Sequence, residues 1–214
     1  MDLPSLEDDW DLPPLDGIDG SRKPAAYSES PSSNTSVCTP KRELDIVRAF
    51  APIGLDPCGH PASAVCASTE WYGCDVTVFL DADGFSIGDA IYPENQKDGL
   101  KESWSAVLSD SEIAFVNPPY GRYIVPWIDK MNREAKDGVE IIGLLPGRFD
   151  TRWFRALDPD RICWYGRRVA FIDPMTPERR DCAKFPSIFA YWGEQVDRFA
   201  QVFGEHGVVT RWRR

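Results

Sequence analysis

The chain lacks any apolar run approaching the roughly 18 residues that a membrane span needs. Its N-terminus also lacks the basic-then-apolar order of a secretory signal. No membrane association and a cytoplasmic location are therefore the expectation. No Cys-x-x-Cys pair occurs among the six cysteines (Cys38, Cys58, Cys66, Cys74, Cys163, Cys182). The loose group Cys58, His60, Cys66 and Cys74 thus falls short of the spacing by which zinc sites are usually recognised. No metal is expected, and most of the thiols should behave as small apolar residues in a reducing compartment. No internal repeat is visible, and 214 residues leave room for one substantial domain plus a tail, not for two full domains.

Basic charge is scarce as well. The 24 Lys and Arg face 34 Asp and Glu, a net charge of −10 that at first argues against a polyanionic partner. The distribution changes that reading. Residues 1–35 carry a net −6, residues 36–119 a net −8, and residues 120–214 a net +4, with most of the bases there arginine. Arginine offers a planar fork that matches phosphate, so one region can face a polyanion while the rest repels it. An ordinary solvated surface explains a surplus of this size equally well.

Residues 1–35 are rich in Asp, Pro and Ser with scattered apolar residues, the composition of a disordered acidic tail. A solvating appendage is the plain reading, and docking of a partner protein or mimicry of nucleic-acid charge the sharper one. Order is expected from residue 36 to 214. Thr39 can cap a helix whose first position is Pro40. Ile53–Asp56 reads as a short buried strand ending at a functional loop, and Val76–Leu80 as another strand with a turn at Asp81–Gly84. From residue 112 the alternation is clear. Strands are expected at Ile113–Val116, Glu140–Leu145, Arg161–Phe171 and Phe185–Trp192, and helices at Ile124–Lys136, Thr151–Leu157 and Val196–Phe203. In the first of these helices, Ile128 and Met131 lie on one face and charged residues opposite. Strands alternating with helices imply an α/β fold with a mainly parallel central sheet flanked by helices. Ligands in such sheets bind beyond the carboxyl ends of the strands, where Asp56 and Asn117 both stand.

The most specific signal is Asn117-Pro118-Pro119-Tyr120, directly after a buried strand. Each proline fixes φ near −65° and restricts its predecessor, so the path is rigid and Pro118's carbonyl points in a preset direction. Pro-Pro also ends strands for purely structural reasons. The buried strand before it and the aromatic residue after it favour a functional site.

This motif resembles the (Asp/Asn/Ser)-Pro-Pro-(Tyr/Phe) signature of amino-methyltransferases. More narrowly, the chain resembles the phage-type DNA N-6-adenine methyltransferase family. Matching features follow in order: Thr39-Pro40, Leu55-Asp56-Pro57-Cys58, Asp98-Gly99-Leu100 with Trp104, Phe115 to Gly121 around the motif, Leu145-Pro146, and Gly166-Arg167. The resemblance spans about residues 37–193; the stretch between Asp56 and Asp98 is longer than the family's pattern. It implies a Rossmann-like class I methyltransferase fold, S-adenosylmethionine as cofactor, DNA with a flipped adenine as substrate, and a phage or prophage gene expressed in a bacterial host.

The resemblance also implies roles. An aromatic amine is a poor nucleophile because its lone pair is delocalised into the ring. Asn117's side-chain oxygen and Pro118's carbonyl can each accept one amino hydrogen, favouring a pyramidal nitrogen; such fixed acceptors are preorganised electrostatic catalysis. Pro119 holds the path, and Tyr120 would stack on an adenine taken out of the duplex. Asp56-Pro57-Cys58 replaces a Gly-rich turn in the loop that meets the cofactor, together with Thr39, Pro40, Asn117 and Asp98. A turn-capping aspartate explains Asp98 equally well, Asp81 and Asp83 are second candidates for a ribose contact, and Trp104 reads better as core. Arg148, Arg152, Arg167 and Arg168 are candidates for sequence-independent phosphate contacts. Arg179 and Arg180 sit in a Pro-bounded segment, 173–186, that suits a substrate loop.

Other readings remain open at this stage. An RNA adenine or a protein glutamine presents the same flat nitrogen. A fold kept only as an interaction module is a different class, against which the intact Asn117–Tyr120 argues. Oligomeric state and recognition sequence are not legible.

Overall fold

The computed structural model describes residues 37–61, 63–72, 97–172 and 183–212. The expected tail (1–35), the strand at Val76–Leu80, Asp81, Asp83, Arg179, Arg180, Cys74 and Cys182 lie outside the described residues. Among those described are four α-helices and seven strands. They are α1 (Lys41–Phe50), β1 (Ile53–Asp56), β2 (Thr69–Glu70), β3 (Ile113–Val116), α2 (Ile124–Lys136), β4 (Ile141–Pro146), α3 (Arg152–Arg155), β5 (Arg161–Tyr165), β6 (Ser187–Trp192), α4 (Val196–Gly204) and β7 (Gly207–Arg211). No helix among them is long and apolar enough to cross a membrane.

The strands form one sheet in the order β2-β1-β3-β4-β6-β5-β7. β1, β3, β4 and β6 are buried along their whole length, as strands must be when helices cover both faces. Successive residues serve opposite layers. Phe115, Leu144, Phe189 and Tyr191 pack with α1 and α4 through Leu44, Val47, Phe50, Phe199 and Phe203. Ala114, Val116, Leu145, Ile188 and Ala190 pack with α2 and α3 through Ile124, Ile128, Met131 and Phe154.

The expectation of a mainly parallel sheet is corrected. β2, β1, β3 and β4 pair in parallel, whereas β6 runs antiparallel to both β4 and β5, and β7 antiparallel to β5. Two strands run against the rest: β6, inside the sheet, and β7, at its edge. β5 runs in the direction of β4 but does not pair with it, because β6 enters between them from the other end. Continuous burial makes parallel and antiparallel strands read alike as apolar runs, so the sequence does not announce this strand's direction.

Three local expectations also change. Pro40, not Thr39, is the N-cap of α1, and no side chain caps it; Thr39's hydroxyl is engaged elsewhere. The strand expected over Arg161–Phe171 stops at Tyr165; beyond it the Val169 carbonyl accepts from Ala183 N–H at 2.8 Å, and Ile172 forms an isolated bridge with Cys38. β2 and β7 were not expected. The first is too short to show a period, and β7 is half-exposed, with the β-branched run Val208-Val209-Thr210 as its signal.

Candidate active site

Because β1, β3 and β4 are parallel, and β5 runs with them, their carboxyl ends lie along one edge of the sheet. The loops leaving that edge carry Asp56-Pro57-Cys58 after β1, Asn117–Tyr120 after β3, Arg148 and Arg152 after β4, and Arg167 and Arg168 after β5. The topology thus collects on one edge nearly all the candidate residues, which are scattered over more than a hundred positions of sequence.

Asn117 is clamped at both ends of its amide. Its Nδ2 donates to Thr39 Oγ1 at 3.2 Å, and its Oδ1 accepts from the Tyr120 hydroxyl at 2.9 Å. The same hydroxyl lies 3.1 Å from the Leu144 carbonyl, so its single proton serves two acceptors. Thr39 is 2% exposed and is held by backbone: Cys38 and Ile172 exchange hydrogen bonds of 2.8 and 3.0 Å. The Tyr120 ring meets Phe171 (5.9 Å, 76°) and Phe185 (5.7 Å, 71°) edge-on. Burial, and then the neighbouring Cys58, push the phenol's pKa above its usual value. After the motif, Gly121 takes a φ of +75°, which an L side chain resists, and turns the chain into α2.

The loop after β1 is equally tight. The Cys58 amide donates to Asp56 Oδ1 at 3.2 Å, while Trp71 N–H donates to Asp56 O and Gly59 N–H to Trp71 O, both at 2.9 Å. Asp56 is 4% exposed. Loss of hydration raises its carboxyl to about 7, with help from the negative charge of Glu70; hydrogen bonds from Cys58 oppose the rise. Glu70, its register partner on β2, was not among the expected site residues. The Cys58 thiol is pushed well up by burial and by Asp56, which makes it a neutral neighbour and not a nucleophile. Thr39, Asp56, Cys58, His60 and Asn117 line a narrow cleft of about 250 Å³ of empty space, its open mouth included. Among the described residues no three His, Cys, Asp or Glu side chains gather as a metal ion would require.

Asp98-Gly99-Leu100 is brought against this loop. A Cβ built on Gly99 would lie 2.0 Å from the Pro57 carbonyl oxygen, so only glycine allows that approach. Asp98 itself accepts from Leu100 N at 3.0 Å and pairs with Lys101 at 3.0 Å, the geometry of a turn cap. Trp104 is fully buried, as its core reading expects, and its Nε1 donates to Gly99 O at 2.8 Å. Behind it lies a buried pair that the sequence reading placed on the exposed face of α2. Glu134 accepts from the Trp104 backbone at 3.0 Å and from Lys130, which also donates to Glu102 O. The spacing of Lys130 and Glu134, one helical turn apart, was the available signal.

The four arginines are exposed. Arg148 forks onto Asp150 at 3.2 and 3.3 Å, and Arg168 donates to the Ala183 carbonyl at 3.0 Å. Pro118 is buried and Pro40 and Pro119 half-buried; none of the three lines the cleft, although Pro40 follows Thr39 and Pro118 follows Asn117, which do.

A family model described as DNA N-6-adenine-methyltransferase (Dam) matches residues 55–205, which is 151 of the 214 residues and includes Asp56, Asn117–Tyr120 and all four arginines. No curated protein matches the chain significantly, and no solved structure does.

Proposed function

The chain belongs to the DNA N-6-adenine-methyltransferase family, and from that premise we propose that it methylates the exocyclic amino group of adenine in DNA, with S-adenosylmethionine as donor. The observation that carries this reading is the Asn117 amide, fixed between Thr39 and Tyr120 at the carboxyl end of β3. A side-chain oxygen held in that way is a preorganised acceptor for a planar amine. We read the parallel half of the sheet, with its ligand edge, as a Rossmann-like class I methyltransferase arrangement.

The residues around the cleft fit the donor. Asp56 is a buried carboxyl whose ionisation no cation among the described residues favours, and the methionine end of the donor carries a sulfonium and an ammonium. Thr39, Asp56 and Cys58, which line the cleft, would hold that end, with Pro40 and Pro57 beside them in the chain and Asp98 in the turn that packs against Pro57. When bound, S-adenosylmethionine supplies an electrophilic methyl group. The chain's own work is to present the amine. The adenine amino group takes the place of the Tyr120 hydroxyl at Asn117 Oδ1 and donates its second hydrogen to the Pro118 carbonyl. Tyr120, freed from that bond, offers its ring to the base. Localised by two acceptors, the nitrogen lone pair is aimed and no longer spread into the ring. Arg148, Arg152, Arg167 and Arg168 surround the same edge and would take phosphates.

The test is to incubate the protein with methyl-labelled S-adenosylmethionine and mixed-sequence DNA, RNA and bulk protein in parallel, then resolve the products by mass. N6-methyladenine in the DNA is the expected product. Label confined to RNA or to protein glutamine moves the substrate class; label on cytosine overturns the adenine assignment.

A further inference from the structure

Four large apolar side chains stand well exposed among the described residues: Tyr123, Val125, Phe149 and Val208. Three of them follow β3 and β4, on the edge that carries Asn117. Phe149 is the most exposed, at 72%. A lone exposed apolar residue is ordinary; what distinguishes this one is how it is held. Gly147 N–H donates to Pro186 O at 2.7 Å, Arg148 N–H to Pro146 O at 2.9 Å, and Thr151 closes the turn on Arg148 O through both N–H (3.0 Å) and hydroxyl (2.7 Å). Thr151 also accepts from Phe154 N and starts α3. The turn is therefore pinned at both ends with the ring pointing outward, while Trp153 and Phe154 a few residues on pack against each other.

Charge at the turn suits a nucleic acid. Residues 147–155 hold three arginines (Arg148, Arg152, Arg155) and one acid, Asp150. The Arg148–Asp150 pair is more than half exposed at both ends, so it holds little free energy and a phosphate can replace the carboxylate. Taking an adenine out of a duplex leaves its neighbours unstacked, and an apolar wedge offsets that cost. We propose that Phe149 is such a wedge: it stacks on the bases beside the extruded adenine while Arg148 and Arg152 hold the flanking phosphates. This rests on the adenine reading above.

The experiment measures methylation of one unmethylated DNA in duplex and in heat-denatured form, by wild type, Phe149→Ala and Phe149→Trp. A wedge matters only where bases are stacked. Phe149→Ala should therefore lower the ratio of duplex to single-strand methylation about tenfold, the scale of losing one aromatic–base stack, and Phe149→Trp should restore the ratio. An unchanged ratio in Phe149→Ala, whatever its absolute rate, overturns the proposal, and so does a wild type that methylates single strands alone. A wild type that methylates neither form overturns the adenine reading, and this proposal with it.

Discussion

The Tyr120 hydroxyl donates to Asn117 Oδ1 over 2.9 Å and so fills the acceptor that the proposed reaction assigns to adenine. The free protein thus satisfies that proposed acceptor with its own side chain. Asn117 is half-buried, so leaving its oxygen without a donor would cost less than a fully buried group's penalty of about 1–3 kcal/mol, and the Tyr120 hydroxyl removes that cost.

Substitution at Tyr120 separates its two roles. Tyr120→Phe removes the hydroxyl but keeps the ring. It should lower stability by about 1 kcal/mol and leave methylation within about tenfold of wild type, because adenine itself supplies the missing donor. Tyr120→Ala also removes the stacking face and should lose roughly another 5- to 150-fold in kcat/KM, the equivalent of 1–3 kcal/mol. Denaturant unfolding and steady-state methylation measure both. Equal rates for the two variants would mean that the ring does not touch the base.

Asp56 gives a pH signature. Its carboxyl is raised from the usual 3.8 to about 7, first by burial and then by Glu70. A raised carboxyl makes the fold most stable when protonated, so its contribution is fully present below about pH 4 and is lost as pH rises through about 7. The rise corresponds to roughly 4 kcal/mol at most. Asp56→Asn should match wild type near pH 4 and become progressively more stable than it up to pH 8, by urea unfolding of the cofactor-free protein. In the same account, cofactor binding tightens from about pH 5 to 8, since the cationic ligand needs the ionised carboxylate. A stability difference that is flat with pH would remove Asp56 from this role.

Gly99 couples the two cofactor-side motifs. A methyl group there would lie 2.0 Å from the Pro57 carbonyl, so Gly99→Ala must displace the loop that carries Asp56 and Cys58. Stability should fall by about 1–3 kcal/mol, the usual cost of overpacking. The KM for S-adenosylmethionine should rise more than kcat falls, which steady-state kinetics with the cofactor varied will show.

The sequence announces residues that must be what they are and hides those whose role depends on a distant neighbour. Asn117-Pro118-Pro119-Tyr120 after a buried strand is legible because two prolines and an apolar run constrain the backbone locally. The exact span of α2 is legible for a similar reason, its apolar period. The direction of β6 is not, because a strand buried on both faces carries no alternation to orient it. Thr39 reads as a helix cap from its place before Pro40; only the fold reveals that its hydroxyl serves Asn117 instead, 78 residues away. Lys130 and Glu134 read as a solvated face, since nothing local shows that the turn at Asp98–Trp104 covers them.

The role proposed for Asn117 Oδ1, presenting the amine, is tested by single-turnover methylation of DNA by wild type beside Asn117→Ala, with cofactor binding followed calorimetrically. Wild type should yield N6-methyladenine and the variant at least about 100-fold less, the scale of removing one preorganised transition-state partner, while the variant still binds S-adenosylmethionine. A variant that binds the cofactor and methylates adenine at the wild-type rate would contradict that role.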